Sequence, residues 1–239
     1  GHNQLFCGPA NFFFVRLKFA SIILVLLSLP SLSVESKNNI PENIKFNVYR
    51  NSSLIGFHNL SFSQLGDDIK AEIEIKFEVT FLGFVVYDYY HKNVEVWSDD
   101  KLKTLETFTD KNGEELSCKV SKSKDAYKIS GTSRKTLSEE TIIPTSYWRN
   151  ELIKGVEKKT LNTQDCSIIN FKIESLGKKT IYNNKVKTDH YKLEGKESTG
   201  EDVVIDIWYD KFGRWVKMIF IKDGSEIEYI SKKFDKSNE

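Results

Sequence analysis

This chain of 239 residues has few sulfur-containing residues, little proline and almost no net charge. It has one Met, three Cys and four Pro, and 35 Lys and Arg nearly balance 34 Asp and Glu. The balance argues against the strongly basic face that nucleic-acid binding needs, so we expect no nucleic-acid partner. Aromatic residues are plentiful at 13 %, which is typical of half-buried strands rather than of helical bundles.

Sequence motifs for catalysis or metal binding are also missing. His58, His91 and His190 stand apart from one another, and the chain has no CxxC, HxxxH or GxSxG motif and no phosphate loop. Zinc sites and activated nucleophiles require such spacings. We therefore expect no catalytic residue, no metal site and no cofactor, and we predict a protein that is not an enzyme.

The amino-terminal region resembles a secretory signal. Arg16 and Lys18 precede an apolar run, and Pro30 and the small-x-small pattern Ser31-Leu32-Ser33 follow it. The run of roughly a dozen residues is short for a membrane span, which needs about 20. We predict a signal helix and signal peptide at residues 1–33, with 1–14 interpreted as upstream sequence, and an exported, periplasmic protein with no transmembrane span after cleavage. The alternative is a membrane anchor formed by the uncleaved signal.

Two cysteines remain after the predicted cleavage, Cys118 and Cys166. In an oxidising compartment they can pair, and closing a loop of about 50 residues would add on the order of 4 kcal/mol of stability. The simpler alternative is two unpaired residues, because Cys118 lies among polar neighbours and Cys166 on a turn.

The rest of the chain is dominated by strand patterns. From Ile69 to Phe81 apolar residues alternate strictly with charged or polar ones, which indicates a strand with one wet face. Similar patterns recur, separated by turns such as Asp223-Gly224. We predict a single β-rich domain, residues 34–239, formed by one large curved antiparallel sheet (a half-barrel or open barrel), with residues 203–232 as its closing edge.

One segment, residues 144–153, departs from the strand pattern and predicts a short helix. Pro144 can open it, Thr145 or Ser146 can cap it, and Tyr147 and Trp148 would lie on its apolar side. A lone amphipathic helix beside a sheet usually covers an open end of the core. We place this helix near the mouth of the curved sheet.

The best polar candidate site lies on one strand. Alternate residues from Tyr87 to Trp97 share a face, which brings His91 and Glu95 together with aromatic rings. If the face is concave, it could bind a head group against an apolar wall; the interpretation we favour is a solvent-facing ladder, and an enzyme using His91 and Glu95 is a third option. The ligand-binding candidates are His58, Tyr89, His91, Glu95, Trp97 and Trp148.

Several short motifs in fixed order resemble an uncharacterised family of exported bacterial proteins known only as a domain of unknown function. They are Phe46-Asn-Val-Tyr-Arg-Asn, Ile55-Gly-Phe-His58, Tyr90-His91, Glu95-Val-Trp97, Pro144-Thr-Ser-Tyr-Trp148, Leu161-Asn-Thr-Gln164, Trp208-Tyr-Asp-Lys-Phe-Gly-Arg-Trp215 and Asp223-Gly-Ser225. More distantly, the architecture is similar to the half-barrels of the lipoprotein-localisation carriers LolA and LolB, whose curved sheets hold acyl chains. The resemblance implies a lipid or other apolar small molecule as partner. The alternative is an envelope structural or protein-interaction module with no ligand cavity, whose protein partner the sequence does not identify.

Overall fold

A computed structural model describes residues 39–236, so the predicted signal segment, residues 1–33, lies outside the described residues. Residues 39–236 lie within one compact unit. Its strands are β1 (Ile44–Arg50), β2 (Ser53–Leu65), β3 (Asp68–Phe81), β4 (Phe84–Ser98), β5 (Lys101–Lys111), β6 (Glu114–Ser123), β7 (Ala126–Gly131), β8 (Lys135–Ser138), β9 (Glu157–Leu161), β10 (Ile168–Ile181), β11 (Val186–Lys196), β12 (Asp202–Asp210), β13 (Trp215–Lys222) and β14 (Ser225–Ser231).

Local sequence explains most of these strands. In β3, Ile73, Ile75 and Phe77 are buried while the residues between them are exposed, as the period-two pattern predicts. Tight turns join neighbouring strands, and both Asp223 and Gly224 have positive φ. That backbone conformation suits the twist of a two-residue hairpin.

All 14 strands belong to one antiparallel sheet in the order β8-β7-β6-β5-β4-β3-β2-β1-β14-β13-β12-β11-β10-β9. The predicted single large sheet is confirmed, but residues 203–232 are not its edge. Strand β14 pairs with β1, as in Val48 opposite Tyr229. A pairing between residues so far apart in sequence cannot be predicted from a local pattern. It places residues 203–232 in the interior of the sheet order and not at its edge.

The two edge strands, β8 and β9, do not pair with each other. The two ends of the sheet are joined instead by contacts from β6 and the loop after β7 to the turn between β9 and β10, and we call this junction the seam. Cys118 and Cys166 form a disulfide across it, with their Cα atoms 5.0 Å apart. Beside the bridge, the Ser133 hydroxyl donates to the Asp165 carboxylate at 2.6 Å. A Cβ on Gly131 would lie 2.5 Å from that of Cys166, so the seam requires glycine there. The paired alternative for the cysteines is confirmed, and both are fully buried.

The helix predicted for residues 144–153 is wrong except for a single 3-10 turn at Asn150–Ile153. Pro144 forms a parallel bridge with Leu161, and the Thr145 amide donates to the Leu161 carbonyl at 2.9 Å. Tyr147 has φ of 63°, which interrupts a right-handed helix. Hydrogen bonds to β9 therefore replace the helical ones.

Residues 139–156, which we name the crossing segment, run from β8 to β9 and pack among the buried residues. The larger apolar cluster includes Phe46, Phe171 and Trp215, and the smaller one surrounds the disulfide. Trp148 packs against both clusters. Between residues 39 and 236, no helix combines the length and apolar character needed to cross a bilayer.

The seam predicts a large contribution of the disulfide to stability. The bridge closes a loop with a sequence separation of 48, so replacing both cysteines with Ala should lower the free energy of unfolding by about 4 kcal/mol. Urea denaturation measures the change. As a control, a thiol reductant should shift the midpoint of the unsubstituted protein and leave that of the Cys118→Ala/Cys166→Ala protein in place; equal midpoints for the two oxidised proteins would contradict the prediction.

Candidate functional site

An interior cavity of about 380 Å³ lies on the concave side of the sheet. Its wall is mainly apolar because the strands point one row of side chains inward at every second residue. The apolar lining residues are Ile55, Ile73, Ile75, Phe77, Val79, Val86, Ile169, Val203, Val204, Ile205, Met218, Phe220, Ile221 and Ile227. The size is in the range of roughly 300–1,000 Å³ that small-molecule sites occupy.

Charged side chains surround the open end of the cavity, which we call the mouth. Three cations come from the last residues of strands: Arg50 of β1, Lys111 of β5 and Lys222 of β13. Three acids also line the cavity: Glu197, Asp202 and Asp223. Charges of both signs therefore meet at the rim, while the wall beyond them is apolar.

The crossing segment covers the end of the sheet opposite the mouth. The Trp148 ring packs at 4.9 Å from Phe62, near the end of β2, and at 5.8 Å from Trp97, near the end of β4. The expectation that this segment covers an open end agrees with these contacts. Its predicted place at the mouth is wrong for Trp148, because this ring contacts the ends of β2 and β4 that lie away from Arg50 and Lys111.

Three of the candidate residues, His58, Tyr89 and His91, line the cavity. His58 Nδ1 lies 3.0 Å from the Tyr229 hydroxyl, and His91 Nδ1 lies 2.7 Å from the Thr109 hydroxyl. The Tyr89 hydroxyl donates to the side-chain carbonyl of Gln164 at 3.1 Å. Each polar candidate is thus held in place by another side chain.

Burial removes charge from this polar part of the wall. It lowers the pKa of His58 to about 3, with a smaller contribution from nearby His91, and it lowers the pKa of His91 to about 4. Burial also raises the pKa of Tyr89. The interpretation of this face as a solvent-facing ladder is therefore wrong. Alternation shows which residues share a face of β4, but not that this face points toward the interior of the curved sheet. Both imidazoles are neutral at pH 7.

The other three candidates, Glu95, Trp97 and Trp148, form a separate buried cluster. The Glu95 carboxylate is fully buried and accepts hydrogen bonds from Trp97 Nε1 at 2.9 Å and Trp148 Nε1 at 3.0 Å. Its other oxygen accepts from Asn93 Nδ2 at 3.0 Å, and the Arg149 guanidinium lies over the Trp97 ring at 4.2 Å. This cluster fastens the crossing segment to β4.

Sequence reasoning missed several cavity residues, notably Tyr229, Gln164 and the rim cations. Tyr229 shares one face of β14 with Ile227, so an inward position was predictable. Its contact with His58, however, depends on the pairing of β1 with both β2 and β14. Within residues 39–236, no three His, Cys, Asp or Glu side chains are grouped so as to hold a metal ion.

Comparisons with known proteins identify the family and the fold. The chain belongs to a family described as a domain of unknown function (DUF6134), which matches residues 46–232. It is similar to a crystal structure described as a beta-barrel-like protein of domain of unknown function DUF1849 from Brucella abortus, with 9% sequence identity and a TM-score of 0.59, covering 80% of this chain and 95% of that chain. That identity supports the fold alone. No curated protein matches the chain significantly.

The Glu95 cluster predicts a coupled loss of stability. Glu95→Leu would leave the two indole N–H donors and the Asn93 amide without their acceptor, so we expect the free energy of unfolding to fall by about 2–3 kcal/mol. Trp148→Phe, which removes one donor, should add little to that loss in the double variant. A double-mutant cycle by urea denaturation measures the coupling; additive losses would show that the two side chains do not act together.

The buried histidines predict a loss of stability at mildly acidic pH. Above about pH 6.5 both are neutral in the folded and unfolded chain, while below it only the unfolded chain takes up the protons. Stability should therefore fall between about pH 6 and 5 with a slope of up to about 1.4 kcal/mol per pH unit for each histidine. Urea midpoints measured across this pH range should show a flatter slope for His58→Gln/His91→Gln than for the unsubstituted protein, and equal slopes would contradict the prediction.

Proposed function

We propose that this protein is an exported, periplasmic, non-enzymatic binding protein that holds an apolar or lipid-like ligand inside its curved sheet. The observation that supports this best is the cavity of about 380 Å³, which has an apolar wall and an end lined by charged residues. Such a combination is the usual form of a site for a small amphipathic molecule.

The mechanism is burial of an apolar chain. Moving apolar surface from water to the cavity wall contributes about 25 cal/mol per Å², and no charged imidazole opposes entry because His58 and His91 are neutral at pH 7. A polar head group would stay at the rim. There Arg50 and Lys111 can approach an anionic group. Lys222 already forms an ion pair with Glu201 at 2.6 Å, and the acids at the rim limit how strongly an anion is attracted.

Export is supported by two independent features. Residues 16–33 have the layout of a secretory signal, and Cys118 and Cys166 form a disulfide. Structural disulfides persist mainly in oxidising compartments such as the bacterial periplasm. The periplasm is therefore the location we propose.

The enzyme option based on His91 and Glu95 loses its support. Three N–H donors already occupy both oxygens of Glu95, and the residue is fully buried. It is not among the residues that line the cavity. A carboxylate bound in this way is poorly placed to exchange a proton with a substrate in the cavity.

The alternative function is an envelope structural or protein-interaction module with no ligand cavity. The presence of the cavity argues against it. Edge pairing remains its physical basis, since β8 and β9 end the sheet. Native mass spectrometry of protein extracted from cells separates the two functions: retained lipid supports the binding protein, and a retained protein partner without lipid supports the module.

A substitution that fills the cavity should weaken ligand uptake. Val203 lines the cavity and is half-buried, so Val203→Trp should weaken binding of the fluorescent fatty acid cis-parinarate about tenfold or more by occupying its space. Val94 is half-buried but lies on the other face of β4 from His91, Asn93 and Glu95, so Val94→Trp is the matched control. Equal fluorescence titrations for all three proteins would argue against a ligand in this cavity.

A further inference from the structure

The hairpin that joins β3 to β4 extends beyond its neighbours and ends in an exposed apolar tip. Pairing of β2 with β3 begins at Gly56 and Phe77, and pairing of β4 with β5 ends at Tyr89 and Lys111. The residues between them, 79–87, pair with one another, as in Phe81 opposite Phe84. We name residues 81–86 the tip. Its exposed side chains are Phe81 at 66%, Leu82 at 81%, Phe84 at 74%, Val85 at 54% and Val86 at 53% of their full accessible surface.

The turn of this hairpin holds a bulky apolar residue in an unfavourable conformation. Leu82 has φ of 50° and precedes Gly83, whereas the equivalent positions in the turns Asn112-Gly113 and Asp223-Gly224 carry polar residues. Asn and Asp tolerate positive φ, and a leucine there costs more. A strained apolar side chain exposed at the end of a hairpin favours a role outside the fold.

We propose that the tip inserts into the surface of a lipid bilayer and docks the mouth of the cavity against it. No charged residue occurs from Val79 to Tyr87. Because neighbouring residues point to opposite faces of a strand, Phe84 and Val85 make both faces of the tip apolar. A tip with two apolar faces can be surrounded by lipid, whereas a protein surface would cover only one of them.

A protein partner or a second copy of the chain fits the tip less well. Specific protein interfaces bury about 800 Å² and roughly 20–30 residues on each side, whereas the exposed apolar surface here comes from five side chains. A bilayer needs no complementary shape, so a small tip is enough for shallow docking.

The geometry limits how deeply the tip can enter. Its outer backbone groups could not find partners in hydrocarbon, so the hairpin must stop near the boundary of head groups and acyl chains. Three residues of strand span about 10 Å, which matches the roughly 5–10 Å reached by interfacial elements. Tyr87 then lies at head-group depth, where tyrosine is favoured.

The tip is continuous with the cavity. Val79, Val86 and Tyr87 belong to the same hairpin and line the cavity. Docking would therefore place the mouth at the membrane, so that an apolar ligand could pass between cavity and bilayer without crossing water. The transfer step rests on the proposed function, whereas docking itself does not.

Vesicle flotation tests the docking. The chain from Val34 to Glu239, which contains the whole compact unit, should float with neutral phosphatidylcholine vesicles, and Leu82→Asn/Phe84→Thr should reduce its partition coefficient about tenfold or more. The control Leu137→Asn/Phe212→Thr removes side chains that are 72% and 70% exposed elsewhere and should keep full binding. Because cations and acids balance at the mouth, salt should have little effect.

A second measurement guards against loss of folding. Leu82→Asn places a residue suited to positive φ in the turn, so the urea midpoint of the tip variant should not fall. An environment-sensitive dye on Leu82→Cys should shift to the blue with vesicles, and the same dye on Leu137→Cys should not. Equal flotation of the tip variant and the unsubstituted chain would overturn the proposal. So would an unsubstituted chain that does not float but forms a dimer that the tip variant cannot form.

The two proposals can fail separately. The tip variant should still take up cis-parinarate in the absence of vesicles, and the Val203→Trp protein should still float. Flotation without uptake would leave a membrane-docking protein whose cavity binds no fatty acid. Uptake with no flotation of the unsubstituted chain would overturn the docking and leave the binding function in place.

Discussion

The closure of the seam is the constraint on which the interior depends. The edge strands β8 and β9 do not pair with each other, and the Cys118–Cys166 disulfide joins β6 on one side to the turn before β10 on the other. Hydrogen bonds between Ser133 and Asp165 continue the contact. Closure by a covalent bridge and a loop, rather than by strand pairing, keeps the sheet curved around its cavity.

The interior holds two different polar arrangements. At the cavity wall, His58 and His91 are neutral and bonded to hydroxyl groups, so the wall offers an apolar ligand little electrostatic resistance. Outside the cavity wall, Glu95 accepts hydrogen bonds from the indole N–H groups of Trp97 and Trp148. Buried polar groups are costly unless they are bonded, which explains why this carboxylate fixes the crossing segment instead of facing the cavity.

The predicted site mixed these two arrangements because all of its members on β4 share one face. Alternation correctly puts Tyr89, His91, Glu95 and Trp97 on one side of the strand. Alternation does not show that a strand of 15 residues extends from the mouth of the cavity to the end covered by the crossing segment. The first two residues therefore line the cavity, while the last two contact the crossing segment. The short helix was mispredicted for a related reason, since residues 143 and 145 form hydrogen bonds with Leu161 of β9 that the local pattern could not show.

The sequence by itself determined the strands, most of the turns and the single antiparallel sheet, because period-two alternation and residues that accept positive φ act between near neighbours. Only the tertiary structure decided the rest: the pairing of β1 with β14, the burial of His91 and Glu95, the disulfide and the cavity. Each of these depends on contacts between residues far apart in the chain, such as Val48 with Tyr229 or Cys118 with Cys166. Their formation depends on the curvature of the whole sheet, which no single segment encodes.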